Sequence, residues 1–195
     1  SERRLDDCFN SELALYPPHT LCQQLLMPLL EELELRWRNQ FGAQAERVFF
    51  YSWLRSKLGA RLYHNNRQYS GAPLLLINVS DLPMAPGMWL TAWLASSANC
   101  PVDVFDWPLS PAELALAVEH IQPRAVLLYS SQALNTNHLQ RLLAGYDCPC
   151  LITGQAVQIH QQELSGMADQ NPDLSLAADP LAALQILTDL NLLNS

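Results

Sequence analysis

Apolar residues recur at helical spacing through the first third of the chain, and from residue 73 onward they come in short runs separated by helical segments. Between residues 2 and 16, Leu5, Cys8, Phe9, Leu13 and Tyr16 share one helical face, and Pro17-Pro18 ends that helix because proline supplies no amide donor. Thr20 stands where the next helix wants a cap. Leu25, Leu26, Leu29, Leu30 and Leu33 carry that helix on to Trp37, with Pro28 inside it predicting a kink or a division. Gly42 marks a break. Ala45, Phe49, Leu54, Leu58 and Leu62 then predict a third helix to about Tyr63, whose other side holds Arg47, Arg55, Lys57 and Arg61. The stretch HNNRQYSGA is polar and aperiodic, which places a domain boundary there: an all-α helical bundle over 1–70 and a second unit over 71–195.

The second unit alternates strand and helix. Strands are predicted over 73–79, 102–107, 125–130, 148–153 and 174–178, and helices over 87–97, 110–121, 135–144, 155–164 and 180–191. Five strands, each followed by a helix, predict an α/β fold with a parallel sheet, right-handed crossovers and helices on both faces. Ser110-Pro111 with Glu113 has the form of a capping box with a first-turn proline, and Asp179-Pro180 repeats the cap-then-proline start. The polar stretch from Ser165 to Asp173 is expected to be a long loop and the most mobile connection.

With 195 residues and 49% apolar content, the chain can fill a sizeable core. Its 19 acidic against 11 basic residues give a net charge of −8, which repels a phosphate backbone and argues against DNA binding by this stretch itself. Five cysteines in no repeating spacing suit a reducing cytosol better than a disulfide framework, and no Cys or His pair elsewhere completes a metal site with Cys148 and Cys150. No apolar run approaches the ~20 residues of a membrane span, and no basic-plus-apolar leader opens the chain. A cytoplasmic protein without a membrane partner is expected. Starting at Ser1-Glu2-Arg3-Arg4, already in helical pattern and without an initiator methionine, the chain is expected to lack an N-terminal part.

Ligands of parallel α/β sheets sit beyond the carboxyl ends of the strands, so chemistry is sought first in PLLLINVSDLPMAPG, residues 73 to 87. That stretch has no glycine-rich phosphate cradle, no nucleophile beside a base and no histidine. The polar candidates at the strand ends are Asp81, Met84, Asp106, Ser130, Ser131, Thr153 and Gln155. Asp81 and Asp106 read as solvated or capping carboxylates in preference to catalytic ones. Ser130-Ser131 has two readings, hydrogen bonding to a ligand or satisfaction of the strand-end backbone. The five histidines, His19, His64, His120, His138 and His160, lie on different elements, and none has the spacing that puts two imidazoles on one helix face. No catalytic residue and no metal site is assigned, and an enzyme is not expected. Trp37, Phe49, Phe50, Trp53, Trp89 and Trp93 read mainly as packing, with Trp37 and Glu46 flanking the break at Gly42 where they would overhang the ligand edge.

A bundle of this length before a five-stranded α/β unit resembles the C-terminal cobalamin-binding region of light-sensing, MerR-type bacterial regulators. LALYPPHTLCQQLLMPLLEELELRW is similar to their helix pair, FGAQAERVFFYSWLRSKL to their next helix, and AADPLAALQIL to their closing strand and helix. The resemblance implies a flavodoxin-like or Rossmann-like strand order. It also implies a ligand cleft built from Trp37, Glu46, Arg47, Met84, Gly87, Ser130, Ser131, Gly154 and Gln155.

Several of these positions depart from the family. Its Asp-x-His-x-x-Gly loop becomes Leu82-Pro83-Met84-Ala85-Pro86-Gly87: the glycine is kept, and Met84 replaces the cobalt-binding histidine. A thioether is a soft ligand, but no carboxylate stands by to orient it, so cobalamin held through a lower ligand is not expected. Trp37 and Glu46 match the family's cap, with Arg47 in place of a histidine; Ser130-Ser131 matches; and Gly154-Gln155 stands where the family has two glycines beside the nucleotide tail. The implied function is the sensory and oligomerisation region of a MerR-like regulator, which touches DNA only through an absent winged helix-turn-helix head. It is expected to form homo-oligomers and to respond to a small-molecule effector or a partner. The alternatives are a corrinoid carrier or enzyme domain, and a ligand-free interaction module whose cleft is filled by Met84 and Gln155.

Overall fold

The computed structural model describes residues 1–193, so the last two positions of the predicted second unit lie outside the described residues. Helix α1 (Glu2–Leu15) gives way to Tyr16 in extended conformation, as the residue before a proline requires. Helix α2 (Pro18–Leu21) starts on Pro17 as its cap, with Pro18 in the first turn, where a missing amide costs nothing. Thr20 therefore lies inside the helix and does not cap it. A π-helical segment, Cys22–Leu26, follows, with the Met27 amide reaching back five residues to the Cys22 carbonyl. It leads directly into α3 (Met27–Arg38), so the division predicted at Pro28 is a change of helical register, and the proline falls in the first turn of α3.

Gly42, with φ of 77°, turns the chain into α4 (Gln44–Asn66). Phe9, Trp37, Phe50 and Trp53 form the aromatic centre of the helical part. Phe9 meets Trp53 edge-on at 5.7 Å, and Trp37 lies 6.2 Å from Phe50.

Strands β1 (Leu74–Asn78), β2 (Val102–Phe105), β3 (Ala125–Tyr129), β4 (Cys150–Thr153) and β5 (Leu174–Ala177) form one all-parallel sheet in the order β2-β1-β3-β4-β5, the flavodoxin-like order. Alternate residues face opposite layers. Leu75, Ile77, Val126, Leu128 and Ile152 pack under α6 (Pro111–Ile121), α7 (Thr136–Leu143), α8 (Ala156–Ile159) and α9 (Gln161–Gln170). Leu74, Leu76, Leu127 and Leu151 pack on the other side with α5 (Pro86–Ser97) and α10 (Pro180–Asp189).

Helix α5 carries the join between sheet and bundle. Its residues Met88 to Ser96 are all buried, and a helix that is apolar all round must be covered all round. The sheet covers one side, α4 the opposite one. Phe9, Leu58 and Trp93 thus belong to the same apolar cluster as the strands. At the far end of α4, Asn66 accepts from the Val102 amide at 3.1 Å and donates to the Val102 carbonyl at 2.8 Å, which ties the bundle to the start of edge strand β2.

Both predicted helix starts are present. The Ser110 hydroxyl accepts from the Glu113 amide while the Glu113 carboxylate takes the Ser110 amide, and Asp179 accepts from the Ala182 amide at 2.8 Å. The stretch from Ser165 to Asp173 is not the predicted loop: α9 runs through it to Gln170, because Leu164, Met167 and Ala168 put a helical apolar stripe onto the second core. Among the described residues no helix is long and apolar enough to cross a membrane.

Cys148 precedes β4, so only Cys150 has a place in the strand. Burial pushes the thiols of Cys22 and Cys150 up to about 12, from an ordinary value of 9.0. These thiols ionise in the unfolded chain before they do in the folded one. Their contribution to stability is thus complete below about pH 9 and is lost as pH rises toward 12. Denaturant midpoints should accordingly be flat from about pH 7 to about pH 8.5 and fall steadily to about pH 11. A midpoint independent of pH across the upper range would contradict the burial of both groups.

Candidate functional site

Tyr129, at the carboxyl end of β3, pairs in register with Asn78 on one side and Thr153 on the other. Period-two alternation puts all three on the α5 face, at the sheet edge where an α/β fold receives ligands. Asn78 organises the β1–α5 loop. Its amide donates to the Leu82 carbonyl at 2.8 Å and to Asp106 at 3.1 Å, and its carbonyl accepts from the amide and hydroxyl of Ser80. The second Asp106 oxygen accepts from the Met84 amide at 3.1 Å and lies 4.0 Å from the Arg55 guanidinium of α4, which stacks over the Trp89 ring. Asp106 is thus a structural anchor for the loop.

Met84 has φ of 60°, a left-handed conformation unfavourable for a residue with a side chain. Two contacts hold it there: its amide to Asp106, and its thioether sulfur accepting from the Ser52 hydroxyl of α4 at 3.7 Å. The loop is therefore braced by β1, by the end of β2 and by the bundle together.

The Tyr129 ring fills the space behind this loop. A side-chain carbon placed on Gly87 would lie 2.7 Å from the Tyr129 hydroxyl, and one on Gly154 would lie 3.0 Å from the ring and 2.3 Å from the Ser130 carbonyl. Both glycines are thereby accounted for by close approach of the chain's own atoms, and Gly154 also needs its φ of 100°. Burial holds the Tyr129 phenol well above its ordinary ionisation range.

Ser130, fully buried, bonds both backbone groups of Gln132, which is the strand-end reading of that residue. The hydroxyls of Ser131 and Thr153 are buried and have no partner among the described residues. Gln155 is exposed and fills nothing.

The predicted site residues fall into two groups. Met84, Gly87, Ser130, Ser131 and Gly154 gather around the sheet edge, while Trp37 and Arg47 lie in the bundle. There Arg47 pairs with Glu34 at 3.2 Å and stacks on Tyr51, whose hydroxyl donates to the same carboxylate. A cavity of about 90 Å³ is lined by Glu34, Trp37, Arg38, Ala43, Gln44 and Arg47. Trp37 is buried, and its indole N–H has no partner among the described residues, while Glu46 turns to Arg36 at 3.5 Å. Helix α4 is what links the two groups, through Ser52 and Arg55.

His160 is a satisfied core histidine, its ring accepting from the Leu134 amide at 2.9 Å. Among the described residues no group of three or more His, Cys, Asp or Glu side chains is placed to hold a metal ion.

Tyr129, Asn78, Ser52 and Arg55 were not singled out by the sequence pattern. A signal existed for Tyr129, the aromatic end of the run AVLLY, two residues from Leu127 and so on the same face. Its hydroxyl makes no hydrogen bond in the structure, so Tyr129→Phe should change unfolding stability by less than about 1 kcal/mol. Tyr129→Ala leaves the slot between the two glycines empty and should cost about 3–5 kcal/mol in denaturant unfolding. Equal, small effects of both substitutions would show that the ring does not fill the slot.

No protein-family model matches the chain, and no curated protein matches it either, so the reading of this site rests on its own geometry.

Proposed function

We propose that this chain is the sensory and oligomerising region of a MerR-like transcription regulator, acting without a bound corrinoid and reaching DNA through a winged helix-turn-helix head outside it. The observation that carries the corrinoid-free part is the Tyr129 ring lying against both Gly87 and Gly154. In the family that the sequence resembles, these glycines border the nucleotide tail of the cofactor. Here the chain's own side chain takes that space, and Met84 is engaged by Ser52 and Asp106 at the position of the cobalt-binding histidine.

The same contacts suit a mechanical relay. The β1–α5 loop is joined to α4 through Met84–Ser52 and Asp106–Arg55, so anything that displaces the bundle also strains the left-handed Met84 and the sheet edge. Binding of an effector or partner at either end then shifts one population of bundle arrangements relative to another. A change in how subunits associate is read out as a change in the spacing of two DNA-reading heads.

Two measurements test this reading. Mixed with adenosylcobalamin in the dark and then desalted, the purified chain should emerge colourless; retained corrinoid absorbance would favour a corrinoid-carrying domain instead. Fused to a DNA-binding head that cannot dimerise by itself, the chain should support repression from an operator with two half-sites and not from one with a single half-site. Equal repression from both operators would remove the oligomerising role.

A further inference from the structure

The outward side of α3 carries Glu31, Leu35 and Arg38 at i, i+4 and i+7, the spacing that aligns side chains along one stripe of a helix. All three are exposed, Leu35 at 59%. The neighbouring charges are already used within the chain: Glu34 by Arg47 and Tyr51, Arg36 by Glu46. Glu31 and Arg38 make no ion pair among the described residues. The stripe therefore presents an acid, an apolar centre and a base to solvent.

That order is self-complementary in one orientation only. Around a two-fold axis near Leu35, an antiparallel second copy sets each Glu31 opposite the other copy's Arg38 and brings the two Leu35 side chains together. Seven residues of α-helix separate the two charges by about 10 Å, so both ion pairs form at once in an isologous contact. A parallel arrangement would set acid on acid and base on base.

The ends of the stripe match as well. Phe41, fully exposed in the turn just past Arg38, falls over the exposed Pro28 of the other copy, which lies equally far beyond Glu31. A partner of a single charge sign would meet one repelling charge wherever it lay along the stripe.

We infer that α3 is a self-association surface of this chain, paired antiparallel with α3 of a second copy through reciprocal Glu31–Arg38 contacts around Leu35. This deepens the oligomerising role proposed above by naming its surface, and it is independent of whether a corrinoid binds. Because each substitution is repeated across the axis, one change of charge removes two attractions and creates two repulsions.

Sedimentation equilibrium of the 195-residue chain at low and high salt tests it. The unsubstituted chain should show a dimer that weakens with salt. Glu31→Arg or Arg38→Glu alone should raise the dissociation constant by at least about tenfold. An equimolar mixture of those two variants, and a chain carrying both substitutions, should return it to within about threefold of the unsubstituted value. Both positions are exposed, so thermal unfolding of each variant serves as the control for folding.

A monomer at every concentration would overturn the inference and leave the stripe to a partner of another kind. A dimer indifferent to the single changes would overturn it while leaving an oligomerising role intact on another surface. Weakening by the single changes without recovery in the mixture would refute the antiparallel pairing.

Discussion

The architecture depends on the complete burial of α5. From Met88 to Ser96 it offers no face to solvent, so the sheet alone cannot satisfy it, and a second apolar layer has to lie across its back. That layer is α4, with α1 and the α2–α3 stretch behind it, and Trp93 marks the centre of the contact. Uncovering this helix would expose Trp89 and Trp93 with the leucines beside them, a patch far larger than a soluble surface ordinarily shows. The helical part is consequently held against the α/β part by the same hydrophobic term that holds the sheet together.

This attachment gives the ligand edge its character. Because α4 lies along α5, its middle turns fall beside the β1–α5 loop, and Ser52 and Arg55 reach Met84 and Asp106 there. In many parallel α/β proteins that loop is free to close on a ligand. In this chain it is tied down on both sides, with the Tyr129 ring behind it.

Much of the fold was legible in the sequence because its signals are local. Apolar runs such as LLLIN and AVLLY, the capping pairs at Ser110 and Asp179, and the break at Gly42 each act within a few residues, and strand positions follow from them closely. The signal failed where packing outweighed composition. Residues 165 to 170 look polar but carry one apolar stripe that a core covers, and Thr20 looks like a cap but follows a proline that starts the helix earlier.

The candidate site was legible in its residues and not in its geometry. Met84 and Gly87 were singled out, but that Gly87 faces Tyr129 depends on which strand lies beside which. That is a property of the β2-β1-β3-β4-β5 order and not of any local pattern.

The π-helical turn at Cys22–Leu26 has a bearing on how this sequence tolerates change. A π turn holds one more residue than an α turn, so everything after it is rotated by about 100° relative to an uninterrupted α-helix. The inward aim of Trp37 and the outward aim of Leu35 are both in phase with the core only because of that added residue. Within this segment a replacement leaves the phase alone, whereas losing a single residue would turn the downstream helix through most of a right angle or more and exchange its inner and outer faces. The segment is therefore governed by its length more strictly than by its composition.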